Sequence, residues 1–177
     1  MIKLQRGFPR PHARTPEPAP PGLAARVAAA RAIAEAVTMA RPLEERLAAD
    51  LALRDPRNDP RDRALARSIA TAALRRLGTI RKALAQRLEK GLPRRSGMLE
   101  WTLVAGAAQL LFLETPDHAA VDLAVRAART EASSAPFAGL VNAVLRGVAR
   151  DRAAILAASD PLDDDTPAWL AARWRAT

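Results

Sequence analysis

A chain of 177 residues without cysteine has room for one hydrophobic core and a tail or linker, and it excludes disulfides and zinc–thiolate centres. Apolar residues make up 49% and aromatics only 3%, with alanine and leucine prominent and β-branched runs nearly absent, so an all-α fold is expected rather than a sheet. The net charge is +9, from 28 Lys+Arg against 19 Asp+Glu. No apolar run approaches the roughly 20 residues of a bilayer span, and the reading is a cytoplasmic protein with a polyanionic partner.

Residues 1–21 hold six prolines and four basic side chains and read as a disordered basic tail. A first helix is expected over 22–40, with Leu23, Val27, Ala30, Ala34 and Val37 on one stripe and Pro42 as its stop. A second covers about 43–53. Residues 54–60 carry Pro56, Asn58 and Pro60 and read as a turn-rich loop. A third helix spans about 61–77 with Leu65, Ile69, Ala73 and Leu77 inward, and a fourth about 79–90, stopped by Gly91 and Pro93.

Residues 98–113 are apolar around almost the whole helix circumference, the pattern of a central helix in a bundle. Gly106 there is expected to let a neighbouring helix approach. A sixth helix covers about 117–132, with Asp122 and Arg126 spaced as a surface pair. The seventh runs about 136–150 on Phe137, Leu140, Val141, Val144, Leu145 and Val148. Residues 160–167 read as a linker in which Asp163, Asp164 and Asp165 form a solvated acidic cluster. A short helix from Ala168 to Arg175 then reads as cut in mid-course, as if another segment should follow.

Little in the chain can carry catalysis. His12 and His118 have no second histidine one turn away, and no cysteine exists, so no metal site is expected. The eight glycines are scattered and none opens a phosphate-binding loop, so no catalytic residue and no cofactor site are expected.

The basic residues form a more suggestive pattern. Only three are lysines, and arginine grips phosphate with a planar fork. Residues 61–95 alone hold 11 basic side chains against Asp62 and Glu89. Within them Arg63 and Arg67 share a helical face, while Arg75, Arg76, Arg81 and Lys82 bracket the junction of the third and fourth helices. On the seventh helix Asn142, Arg146 and Arg150 recur every four residues, a stripe able to donate to phosphates and to read a base edge. These nine residues are the candidate RNA-binding set. Trp101, Phe112 and Phe137 fall at core positions, so binding should rest on arginine and depend steeply on salt.

Several segments then resemble a known family: residues 62–66 and 74–80 around Leu74-Arg75-Arg76-Leu77-Gly78-Thr79-Ile80, residues 106–113, residues 116–125, and Gly139-Leu140-Val141-Asn142-Ala143-Val144-Leu145-Arg146. Together, over about 22–175, they are similar to the NusB-like N-terminal domain of the RsmB (Sun) family of small-subunit rRNA cytosine-C5 methyltransferases. The resemblance implies two packed helical subdomains of about seven helices, with RNA on the basic face. It also implies a following catalytic domain that binds S-adenosylmethionine and attacks cytosine with a cysteine thiolate. Residues 167–174 resemble the start of that second half.

On this reading, 22–155 is the RNA-binding domain, 156–177 is a linker with the truncated start of the methyltransferase half, and small-subunit rRNA and that half are the partners. A stand-alone antitermination factor of the NusB kind and a helical protein-interaction module remain the alternatives.

Overall fold

The structure is a computed structural model that describes residues 19–50 and 60–176. Among these residues there are ten α-helices, one short 3-10 turn and no strand. The expected tail is outside the described residues up to residue 18, as is the expected loop up to residue 59. None of the described helices is long and apolar enough to cross a membrane.

Helix α1 (Leu23–Met39) starts after Gly22 at φ 76° and stops where Ala40 turns left-handed at φ 52°, two residues before the proline expected to end it. Its inward face is mostly alanine: Ala25, Ala28, Ala29 and Ala32 are buried beside Ile33. Helix α3 (Pro60–Arg75) presents Ala66, Ala70 and Ala73 around Ile69 and packs against α1. Small side chains on both faces let the two backbones come close. Between them in sequence, α2 (Leu43–Ala49) leans on both and buries Leu47.

Helix α4 (Leu77–Ala85) follows α3 after a single residue, Arg76, whose φ/ψ of −124°/27° breaks the helix. The centre of the molecule is α5 (Leu99–Phe112), with twelve of its fourteen residues buried. It packs against α1, α3 and α4 on one side. On the other it meets α6 (Asp117–Arg129), α7 (Ala138–Arg150) and α8 (Arg152–Ala157). A helix enclosed on all sides must be apolar on all sides, as the composition of 98–113 anticipates.

Gly106 of α5 faces Leu145 of α7, and a Cβ added there would come within 2.5 Å of Leu145 Cδ1. The close approach expected at this glycine is therefore present. On the outer surface, Asp122 and Arg126 form the expected pair at 2.9 Å.

Two readings need correction at the C-terminal end. Residues 160–167 are not simply a linker: Asp160 caps a helical turn, α9 (Pro161–Asp164), by accepting from the Leu162 amide at 2.8 Å. An aspartate before a proline at the first helical position is a favourable helix start. Nor is 163–165 a freely solvated acidic cluster, because Asp164 and Asp165 are packed against α4. Helix α10 (Ala168–Arg175) follows, touching α9 and leaving Trp169 and Trp174 exposed.

Candidate nucleic-acid interface

Local chemistry makes α3 and α4 basic on their outer faces, but the fold decides which cations remain available. Arg63 and Arg75 are exposed and have no ion-pair partner among the described residues. Arg67, one turn after Arg63, is held by Glu44 of α2 at 2.6 Å. Arg81 pairs with Glu100 at 3.0 Å and lies 5.7 Å from the Trp101 ring centroid.

Arg76 is placed differently from the exposed cations. Its guanidinium stacks 4.9 Å from the Phe112 centroid, and its Nε lies 3.3 Å from Asp165. With its side chain only 23% accessible, it ties the α3–α4 joint to the core and to the C-terminal segment. Lys82 is drawn to the same segment through Asp164 at 3.0 Å. That lysine and the Asp160 amide hold the Asp164 carboxyl below the ordinary carboxylate range.

Asp165 completes this docking. Its Oδ1 accepts from the Thr79 backbone amide at 2.8 Å and its Oδ2 from the Thr79 hydroxyl at 2.7 Å. Thr79 is the third residue of α4, so Asp165 supplies in space the N-terminal cap that Arg76 does not supply in sequence. A carboxylate at that end of a helix is also favoured by the helix dipole. Gly78 makes the approach possible, since a Cβ there would overlap the backbone carbonyl of Asp164.

On α7 the four-residue spacing brings Asn142 and Arg146 into contact. Arg146 Nε donates to Asn142 Oδ1 at 3.1 Å, and Arg146 has no carboxylate partner among the described residues. Arg150 is also exposed but is engaged by its neighbour Asp151, which raises its pKa by hydrogen bonding and charge. The nine candidates thus divide. Arg63, Arg75 and Arg146 are open, Asn142 is bonded to Arg146, and the other five are ion-paired.

Sequence reasoning missed the role of Arg87. Its stem lies against Gly147 of α7, and its guanidinium reaches the Ala83 carbonyl and Asp151, both at 2.7 Å. The hydrogen bonds from Arg150 and then Arg87 keep the Asp151 carboxyl below its ordinary range. Arg87 therefore joins α4 to the end of α7. Nothing in its spacing marks it, because Gly147 and Asp151 lie sixty or more positions away.

Three arginines, Arg63 and Arg75 on α3 and Arg146 on α7, are thus exposed without a carboxylate partner, and no group of three or more His, Cys, Asp or Glu that could hold a metal occurs among the described residues.

The model of the NusB family matches residues 23–150. The chain is 42% identical over 161 residues to ribosomal RNA small subunit methyltransferase B of Xanthomonas campestris pv. campestris, covering 90% of this chain and 35% of that protein. It is 39% identical over 155 residues to the protein of the same name in Xylella fastidiosa strain Temecula1, covering 88% and 34%. The chain spans about a third of the length of these curated relatives. In three dimensions it is similar to T. maritima NusB, with a TM-score of 0.60, 23% identity, and coverage of 76% of this chain and 94% of the other. It is also similar to a chain from "Crystal Structure of a Plectonemic RNA Supercoil", with a TM-score of 0.61, 19% identity, and coverage of 77% and 97%.

Proposed function

The chain belongs to the NusB family, and from that premise we propose that it is the RNA-binding, substrate-positioning domain of a small-subunit rRNA cytosine-C5 methyltransferase. One observation carries the RNA part: Arg63, Arg75 and Arg146 stand exposed on the helical surface with no carboxylate to neutralise them among the described residues. Exposed, unpaired guanidinium groups are available to phosphate oxygens, and contacts of this kind supply most of the affinity for nucleic acid. The similarity to the rRNA methyltransferases over 90% of this chain favours rRNA over a leader transcript.

The chemistry of methyl transfer is not assigned to this chain. It has no cysteine for attack on a cytosine ring and no glycine-rich loop for S-adenosylmethionine. Both would be supplied by a catalytic domain of the parent protein, with this domain holding the rRNA so that the target base is presented.

The test is a salt titration of binding to a small-subunit rRNA fragment, with an unrelated duplex of equal length as competitor. Preference for the rRNA fragment, with affinity falling by several counterions per logarithm of salt, is the expected result. Equal binding to both would reduce the domain to a nonspecific basic clamp. Absence of RNA binding would favour a protein-interaction module. Tight, sequence-selective binding to a short leader transcript would favour an antitermination factor.

A further inference from the structure

We propose that the cleft between α6 and α7 is a pocket for an unpaired guanine of the bound RNA. The proposal rests on the RNA-binding reading above and adds a base identity to it. The cleft has a volume of about 360 Å³, within the range of small-ligand sites.

Its two walls come from helical periodicity. His118, Val121, Asp122 and Val125 follow one another along one stripe of α6, and Asn142, Arg146 and Ala149 along the facing stripe of α7. Val121 is buried, and Val125 and Ala149 are half-buried, so the floor is apolar and suits the face of a base.

The walls differ in hydrogen-bonding character. Arginine has only donors, so the atom of Asn142 that meets Arg146 Nε at 3.1 Å must be its amide oxygen. The Asn142 NH₂ group and the terminal nitrogens of Arg146 remain available, which makes the α7 wall a set of donors. Across the cleft, Asp117 and Asp122 bring only acceptors. Each is bound by one arginine, Arg152 at 3.1 Å and Arg126 at 2.9 Å, and each keeps lone pairs to spare.

Guanine matches that polarity. Its O6 and N7 form an acceptor edge, the pair that arginine grips in bidentate fashion. Its N1–H and N2–H₂ donors lie on the adjoining edge, toward the carboxylates. Adenine keeps the N7 acceptor but puts its amino group toward the donor wall and its N1 acceptor toward the carboxylates. Pyrimidines lack the second acceptor of the O6/N7 pair. The base must be unpaired, as is usual in sequence-specific RNA recognition.

The test uses the 177-residue chain and labelled oligouridylates that differ only in one central base: guanine, adenine or 7-deazaguanine. Anisotropy should show tighter binding of the guanine oligomer than of the adenine one by about tenfold, the low end for a bidentate base contact. Loss of N7 should remove most of that preference. Arg146→Lys keeps the charge and the exposed position but loses the fork, so it should bind all three oligomers alike with an unchanged helical circular dichroism signal. Asn142→Ala should do the same.

Equal binding of the guanine and adenine oligomers by the unaltered chain would overturn the pocket while leaving RNA binding intact. A guanine preference that survives Arg146→Lys would overturn it too. If no oligomer and no rRNA fragment binds, the pocket and the RNA reading fall together.

Discussion

The carboxylate of Asp165 caps the helix that contains Thr79, accepting from both its amide and its hydroxyl across 86 positions of sequence. One aspartate thereby anchors the C-terminal segment and satisfies an otherwise orphan amide of α4. It also draws Arg76 away from the solvent-facing basic set.

Asp165→Ala should cost about 0.5–2 kcal/mol, the range for loss of an N-terminal cap. Gly78→Ala should release the same segment by a different route, since its methyl group would displace the Asp164 carbonyl. In both variants, hydrogen exchange should show faster exchange at Thr79 and in 160–176, while amides of the buried α5 keep their protection. Unchanged exchange in 160–176 would show that the segment is held by other contacts.

Acid should loosen this docking in a definite direction. The Asp164 carboxyl titrates below its ordinary range because Lys82 and the Asp160 amide stabilise its charge. A depressed folded-state pKa gives stability that is full above the unfolded carboxylate pKa, near 3.9, and is lost as pH falls through the folded value. An NMR titration of the Asp160 amide, which donates to Asp164 at 3.0 Å, should therefore show its transition on the acid side of ordinary aspartate. Lys82→Ala should move that transition upward. A transition at or above the ordinary value in the unaltered chain would contradict the pairing.

Gly106→Ala tests the contact at the centre of the bundle. The added methyl would press on Leu145, which is fully buried and has little room to move. Overpacking of this kind costs about 1–3 kcal/mol, readable as a lower midpoint in urea with no change of slope. Gly139→Ala, on the same α7 and with open space at its Cβ position, should be neutral or slightly stabilising.

The division of arginines into open and paired predicts different salt dependences. Arg75→Ala should lower the salt slope of rRNA binding by about one unit if that side chain meets a phosphate. Arg87→Ala should instead lower stability, because it severs the link from α4 to Asp151 and the Ala83 carbonyl, and should leave the slope nearly unchanged. A slope lost equally in both would mean that pairing in the free protein does not decide which cations meet RNA.

Much of this molecule is legible in its sequence because much of it is local. Helical periodicity locates α1, α3, α5, α6 and α7, and the apolar circumference of 98–113 identifies the helix at the centre of the bundle. The bond from Arg146 to Asn142 follows from a four-residue spacing, as does the pair of Arg126 with Asp122. Gly106 stands out as a small residue in the most enclosed helix. Each of these signals lies within a single helix.

The turn at 161–164 and the short helix 152–157 left weaker signals, being too brief to display a period. What the tertiary structure alone decided is which charges distant in sequence meet. Arg63 and Arg67 are alike in sequence, yet only Arg67 meets a glutamate, on α2. Asp164 and Asp165 look like linker residues until the fold carries them onto Lys82, Arg76 and Thr79. An ion pair depends on separation in space, which falls off over a few ångströms, and no repeat along the chain records which distant residues will come within that reach.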